Sequence, residues 1–152
     1  MADLPDDALG QTLEVKVYGT IYCAREAIQH MAKSKGGSDG VIVNASSVAA
    51  RLGSPGEYVH YAASKSAVET FIIGLAKEIG GEDIRVNALQ AGTTYTDSHK
   101  LSDNPDRPAM VAAMSPTGRV ASPDDIAARI HWPAAPESSY VTGGVLPVSG
   151  GL

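Results

Sequence analysis

The sequence predicts an α/β fold, a parallel sheet whose strands alternate with helices. Three observations carry that expectation. Leu9, Leu13, Val17, Ile21, Ala24, Ile28 and Met31 recur at steps of three or four, the spacing of one apolar helix face. Val41-Ile42-Val43-Asn44-Ala45 is a short β-branched apolar run, the composition of a buried strand. A second helical stripe of Val68, Phe71, Ile72, Leu75 and Ile79 gives way to the alternating Ile84, Val86 and Ala88. Alternation of this kind calls for right-handed crossovers between parallel strands.

The elements follow in order. The first helix, over residues 7–34, ends at the turn Gly36-Gly37-Ser38-Asp39-Gly40. After the strand at 41–45, residues 48–57 contain Gly53, Pro55 and Gly56 and are expected as a loop. The second helix runs over 58–80 and closes at Gly80-Gly81. Residues 90–116 are polar and rich in proline, glycine and threonine; a stretch that long without periodicity is usually functional, often a lid. Ser122-Pro123-Asp124-Asp125 opens a third helix, with Ser122 as its cap and Pro133 stopping it early. Val145-Leu146-Pro147-Val148 is a last strand, and its proline suits an edge. Three strands are few for such a sheet. The strand at 41–45 is left with an uncovered flank unless another chain or further residues supply a neighbour.

Composition narrows the classes of function. The chain has 152 residues, 43% hydrophobic and 19% charged, as one soluble globular domain does. A net charge of −5 without basic clusters argues against nucleic acid and against an anionic membrane. Cys23 is the single cysteine, so no intrachain disulfide forms, which suits a reducing compartment. No apolar run approaches the roughly 20 residues of a membrane span. The expected location is the cytoplasm.

Chemistry concentrates in two blocks. Tyr61 and Lys65 stand one helical turn apart on a single face, about 5–6 Å between Cβ atoms. A fixed ammonium that close favours phenolate over phenol and equips Tyr61 to give and take a proton. Asn44-Ala45-Ser46-Ser47 lies one strand upstream, and a serine at that strand end can hold a carbonyl oxygen. Spacing alone also fits an interfacial tyrosine, a solvated lysine and a serine pair that ends a strand. His30, His60, His99 and His131 lack metal-ligand spacing, so no metal site is expected. His60 is expected to point away from Tyr61.

Taken together, these blocks resemble the short-chain dehydrogenase/reductase family over nearly the whole chain. Val41 to Ser47 resembles the strand that ends in the catalytic serine, and Tyr61-Ala62-Ala63-Ser64-Lys65 the catalytic tyrosine and lysine. Ile84-Arg85-Val86-Asn87-Ala88 resembles the next strand. Tyr140-Val141-Thr142-Gly143-Gly144, followed by Val148-Ser149-Gly150-Gly151, resembles the closing segment. The resemblance implies a partial Rossmann-like, doubly wound parallel sheet in three α/β/α layers, with the N-terminal strands missing and residues 1–152 as one incomplete domain. It also implies hydride transfer between NAD or NADP and an alcohol or carbonyl substrate. Tyr61 would pass the proton, Lys65 would bind the nicotinamide ribose, and Ser47 would steady the substrate oxygen, with Ser46 as the alternative. Gly92, Thr94 and Thr96 would lie on the loop that meets the nicotinamide end. In this family helices resembling 7–34 and 58–80 pack between subunits, which implies a homo-oligomer.

The departures from that pattern are specific. No glycine-rich turn between a strand and a helix occurs, and that turn is where a dinucleotide's pyrophosphate would sit. Lys16 stands where the family has the asparagine of a proton relay, and a lysine has no acceptor to offer. Ala91 replaces a proline, Thr94 an aliphatic residue, and Trp132-Pro133 interrupts a helix that usually continues. Two further expectations stand beside the enzyme: an inactive fragment serving as an oligomerisation module, and an incomplete gene whose upstream strand is cut off before Met1.

Overall fold

The computed structural model describes residues 1–97 and 104–152. Three parallel strands form its sheet in the order β1-β2-β3: β1 (Gly40–Ser47), β2 (Ile84–Ala91) and β3 (Val145–Val148). The β1–β2 register runs from Gly40 opposite Ile84 to Ser47 opposite Ala91, and β3 joins at Ala88 opposite Val145. β3 lies at an edge, as its proline predicts, with Pro147 opposite Gln90. β1 forms the other edge among the described residues.

The first predicted helix is three consecutive pieces. These are α1 (Asp6–Leu13), a π-helical turn (Glu14–Tyr18) and α2 (Gly19–Met31). A π turn inserts a residue and rotates the apolar stripe, which a count in threes and fours does not register. Gly37 closes the chain against the end of α2, where a Cβ would lie 2.1 Å from the Met31 carbonyl oxygen. The expected loop at 48–57 contains a short helix, α3 (Ala49–Leu52). The second long helix is α4 (Val59–Ile79).

Within the expected lid, β2 reaches Ala91 and α5 (Arg107–Met114) supplies a helix; positions 98–103, including His99, lie outside the described residues. α6 (Pro123–Ala134) begins with the predicted cap. The Ser122 hydroxyl accepts from Asp125 N at 3.2 Å, and Asp125 accepts from Ser122 N at 2.8 Å. Pro133 does not stop α6 before itself; the helix ends one residue beyond it.

The core is the layer between the sheet and the α2–α4 pair. Ile84, Val86 and Ala88 of β2 pack with Val68, Ile72, Leu75 and Ala76 of α4 and Ala24 of α2. β2 reads as an alternating strand because the intervening residues do other work. Arg85 donates through Nη1 to the carbonyls of Pro133 (2.8 Å), Ser138 (2.9 Å) and Val141 (3.2 Å). Asn87, also buried, donates to the Val141 carbonyl and accepts from Gly144 N. The Thr142 hydroxyl accepts from Val86 N at 3.0 Å. The closing segment is therefore strapped to β2 before β3 begins.

Two substitutions test where stability resides. Ile72 is fully buried, and Ile72→Ala is expected to lower the unfolding free energy by about 2–5 kcal/mol in urea titration. Ser122→Ala removes only a helix cap and is expected to cost about 1 kcal/mol by the same measurement.

Candidate active site

The C-terminal ends of β1 and β2 and the start of α4 border one open cleft of about 1050 Å³. Its position outside the carboxyl ends of parallel strands is where open α/β sheets bind ligands. Ser47, Tyr61, Gly92, Thr94 and Thr96 all line it. Five of the six residues singled out from sequence thus meet in one place. Lys65, the sixth, is not part of the lining; its Nζ sits over the Tyr61 ring, 5.7 Å from the centroid, and donates to the Ala45 carbonyl at 2.6 Å.

The register of β1 separates the two serines. Ser46 is buried, and its hydroxyl donates to Glu69 of α4 at 2.5 Å. Ser47 follows on the opposite face of the strand and reaches the cleft, its hydroxyl accepting from Ala49 N at 3.2 Å. His60, expected to face away from Tyr61, lines the cleft as well.

Glu69 was not legible as a site residue. It accepts from Ser46 and, at 2.9 and 3.0 Å, from Gln90 Nε2 of β2. One carboxylate therefore ties α4 to both strands directly beside the cleft. The available signal was its position four residues after Lys65, as Lys65 is four after Tyr61, inside an otherwise apolar stripe.

The loop after β2 is pinned by its backbone. Gly92 N donates to Val148 O at 2.9 Å, and a Cβ on Gly92 would lie 2.8 Å from Ser149 Cα. Thr94 pairs with Ala121, and its hydroxyl donates to the Gly92 carbonyl at 3.1 Å. Farther out, Arg107 of α5 binds Glu57 through Nη2 at 3.0 Å and through Nε at 3.2 Å. The same guanidinium donates to the Thr93 hydroxyl through Nη1 at 2.8 Å. No motif announces this pair, whose members lie 50 residues apart.

Burial holds the Lys65 ammonium below its ordinary pKa of 10.5; repulsion from Lys16 lowers it further, and Glu69 opposes both. Lys16 lies on the π turn, so the residue that departs from the expected asparagine acts electrically on the site.

Comparison with known proteins identifies the fold's lineage. A family model described as enoyl-(acyl carrier protein) reductase matches residues 1–152. The chain belongs to the short-chain dehydrogenase/reductase family. It is 42% identical over 149 residues to the uncharacterized oxidoreductase YgfF of Escherichia coli strain K12, covering 98% of this chain and 60% of that protein. It is 35% identical over 153 residues to an L-rhamnose 1-dehydrogenase (NAD(P)(+)) of Sphingomonas sp. strain SKA58, covering 99% and 58%. A 3-oxoacyl-[acyl-carrier protein] reductase from Brucella melitensis superposes with a TM-score of 0.89 at 34% identity, covering all of this chain and 55% of that one. A 4-hydroxyisoleucine dehydrogenase mutant complexed with NADH and succinate gives a TM-score of 0.88 at 26% identity, covering 99% and 61%. The chain thus spans well under two thirds of the length of these family members. Its parallel α/β sheet is part of the family's Rossmann-like fold.

The Lys65 environment yields a pH prediction. Between a lowered folded pKa and the unfolded value, the unfolded chain binds more protons, so the Lys65 contribution to stability rises with pH across that window. Lys16→Asn removes one lowering influence and is expected to raise the Lys65 pKa and narrow the window. Amine-labelling rates at Lys65 against pH, followed by mass spectrometry, check this; an unchanged or lowered titration midpoint contradicts it.

Proposed function

We propose that this chain carries the proton-handling site of an NAD(P)-dependent oxidoreductase that interconverts alcohols and carbonyls. One observation supports the reading above all: Ser47 and Tyr61 line the same cleft, with the Lys65 ammonium over the Tyr61 ring.

The donor set fits the nicotinamide-ribose end of the cofactor. It comprises two hydroxyls, one ammonium and the threonine-bearing loop from Gly92 to Thr96. Among the described residues, no strand, glycine-rich turn and helix in succession offers a seat for the pyrophosphate. Lys65 Nζ, oriented by the Ala45 carbonyl, would hold ribose hydroxyls, and the loop at Gly92, Thr94 and Thr96 would border the ring. When bound, NAD or NADP supplies the hydride acceptor or donor. Ser47 Oγ donates a hydrogen bond to the reacting oxygen and fixes it in the cleft. Tyr61 Oη gives that oxygen its proton in reduction and takes it back in oxidation. The Ser46–Glu69–Gln90 bonds hold the strand ends and α4 at a fixed separation while this occurs. Relatives named for an NAD(P)-linked dehydrogenase and an NADH complex support the assignment.

A second reading rests on the surface. Val15, Tyr18 and Tyr22 stand exposed along the π turn and α2, and Val59 and Ile73 along α4. Tyr18 and Tyr22 lie with ring centroids 6.4 Å apart, and Arg25 covers the Tyr22 ring at 5.2 Å. Such a stripe favours self-association through the helices at 7–34 and 58–80, which would make the chain an assembly module in a homo-oligomer. No helix of the described residues is long and apolar enough to cross a membrane, and with the lone Cys23 this supports a cytoplasmic setting.

Titration of the chain into NADH and NADPH, followed by nicotinamide fluorescence, is the first test. Saturable binding is expected, and Tyr61→Phe is expected to retain binding while lowering turnover roughly 10²–10⁴-fold. A folded chain that binds neither nucleotide at millimolar concentration overturns the enzyme and leaves the assembly module. For that module, Tyr18→Asp is expected to shift the sedimentation coefficient toward the monomer.

A further inference from the structure

We infer that the cleft takes an uncharged, largely apolar carbonyl or alcohol compound, and that the Glu57–Arg107 pair screens out anionic ones. The inference rests on the proposed site and deepens it by naming the substrate class.

Charge comes first. Among the described lining residues, Glu57 is the one acidic side chain and Arg107 the one arginine or lysine, with His60 as the remaining titratable base. Glu57 and Arg107 neutralise each other in a two-pronged ion pair, the geometry in which a guanidinium matches a carboxylate best. The third donor direction is taken by the Thr93 hydroxyl at 2.8 Å. An entering carboxylate or phosphate that took this edge would have to displace Glu57, leaving a second carboxylate unpaired within the same cleft. Arg107 and Glu57 are both part-exposed, so exchanging one carboxylate partner for another returns little, while the displaced carboxylate repels the incoming one. The arginine, which in isolation looks like an anion receptor, already gives its Nε–Nη2 edge to Glu57 and a third N–H to Thr93.

Shape and polarity agree with that conclusion. α5 turns Met110 and Met114, one helical turn apart, into the cleft, and Leu52 of α3 and Tyr58 before α4 line it too. These four side chains are between 42% and 65% exposed, a high value for large apolar groups gathered around one concavity. Two methionines form a wall that adapts to irregular apolar shapes. The ion pair also ties α5 to the loop that enters α4, so the methionine wall and Tyr61 are held on one frame. A substrate would put its oxygen at Ser47 and Tyr61 and its apolar body against α5.

The methionines supply a readout that needs neither cofactor nor turnover. The chain has four, of which Met31 packs against the core and Met1 lies at the terminus. The protein labelled with ¹³C at the methionine methyls is titrated with 4-phenyl-2-butanone and, separately, with 2-oxo-4-phenylbutanoate, which replaces the ketone's methyl by a carboxylate. The Met110 and Met114 methyls are expected to shift saturably with the ketone while Met1 and Met31 stay fixed. The keto acid is expected to bind on the order of tenfold more weakly. In Glu57→Gln the guanidinium is released, and the keto acid is expected to gain affinity while the ketone does not. Equal or tighter keto acid binding by the unaltered protein overturns the inference, as does a ketone that moves neither cleft methionine. Failure of nucleotide binding with these shifts intact would remove the oxidoreductase reading and leave the apolar cleft standing.

Discussion

The carboxylate of Glu69 is the contact on which the site's geometry depends. It accepts from Ser46 of β1 and Gln90 of β2, residues that face each other in the parallel register. A helix resting on a sheet through apolar contacts alone can slide by fractions of a turn. A charged acceptor bound to both strands removes that freedom, because ionised acceptors make short, directional bonds. The consequence reaches along α4: with Glu69 fixed, Lys65 is placed one turn earlier and Tyr61 one turn before that, level with the strand ends where Ser47 emerges. The same carboxylate supports the Lys65 ammonium against burial and against Lys16.

The other end of the sheet is held by a different device. β2 sends its odd-numbered polar side chains, Arg85 and Asn87, to the backbone of the segment that leads into β3. An irregular segment has carbonyls with no ladder to satisfy them, and a guanidinium is suited to collect several at once. This strap sets where β3 starts and so where Val148 meets Gly92, the residue at which the cleft floor turns. Packing below the cleft is thus apolar, whereas its rim is positioned by polar bonds of fixed direction. That division explains how a sheet of three strands among the described residues, with β1 and β3 at its edges, presents an ordered set of side chains.

The departures expected from the family resemblance fall on the π turn at Lys16, around the end of β2 at Ala91 and Thr94, and on α6 at Trp132-Pro133. Lys16, where the family resemblance leads one to expect a neutral asparagine, is a cation whose repulsion helps lower the Lys65 pKa. Arg107 of α5 is paired across to Glu57 of the loop that enters α4. The Lys65 ammonium beside Tyr61 and the mutually neutralised Glu57–Arg107 pair among the described cleft residues are compatible with the uncharged substrate proposed above.

The sequence by itself determined the local elements and the lineage. Hydrophobic period and the turn glycines placed the three strands and α4 closely, and the Ser122 cap placed the start of α6, because these depend on neighbours a few residues apart. The ordered blocks around Ser47 and Tyr61-Ala62-Ala63-Ser64-Lys65 carried the family for the same reason: they are contiguous. The π turn at Glu14–Tyr18 escaped, since inserting one residue leaves a three-and-four spacing nearly unchanged. Helices α3 and α5 escaped because glycine- and proline-rich surroundings hide short helices. Only the tertiary structure turned Ser47 toward the cleft and Ser46 toward Glu69, brought His60 into the cleft, joined Glu69 to two strands and paired Arg107 with Glu57. Each of those outcomes depends on side chains 20 or more residues apart, or on which face of a strand points where. Register and packing set such relations, and no local pattern records them.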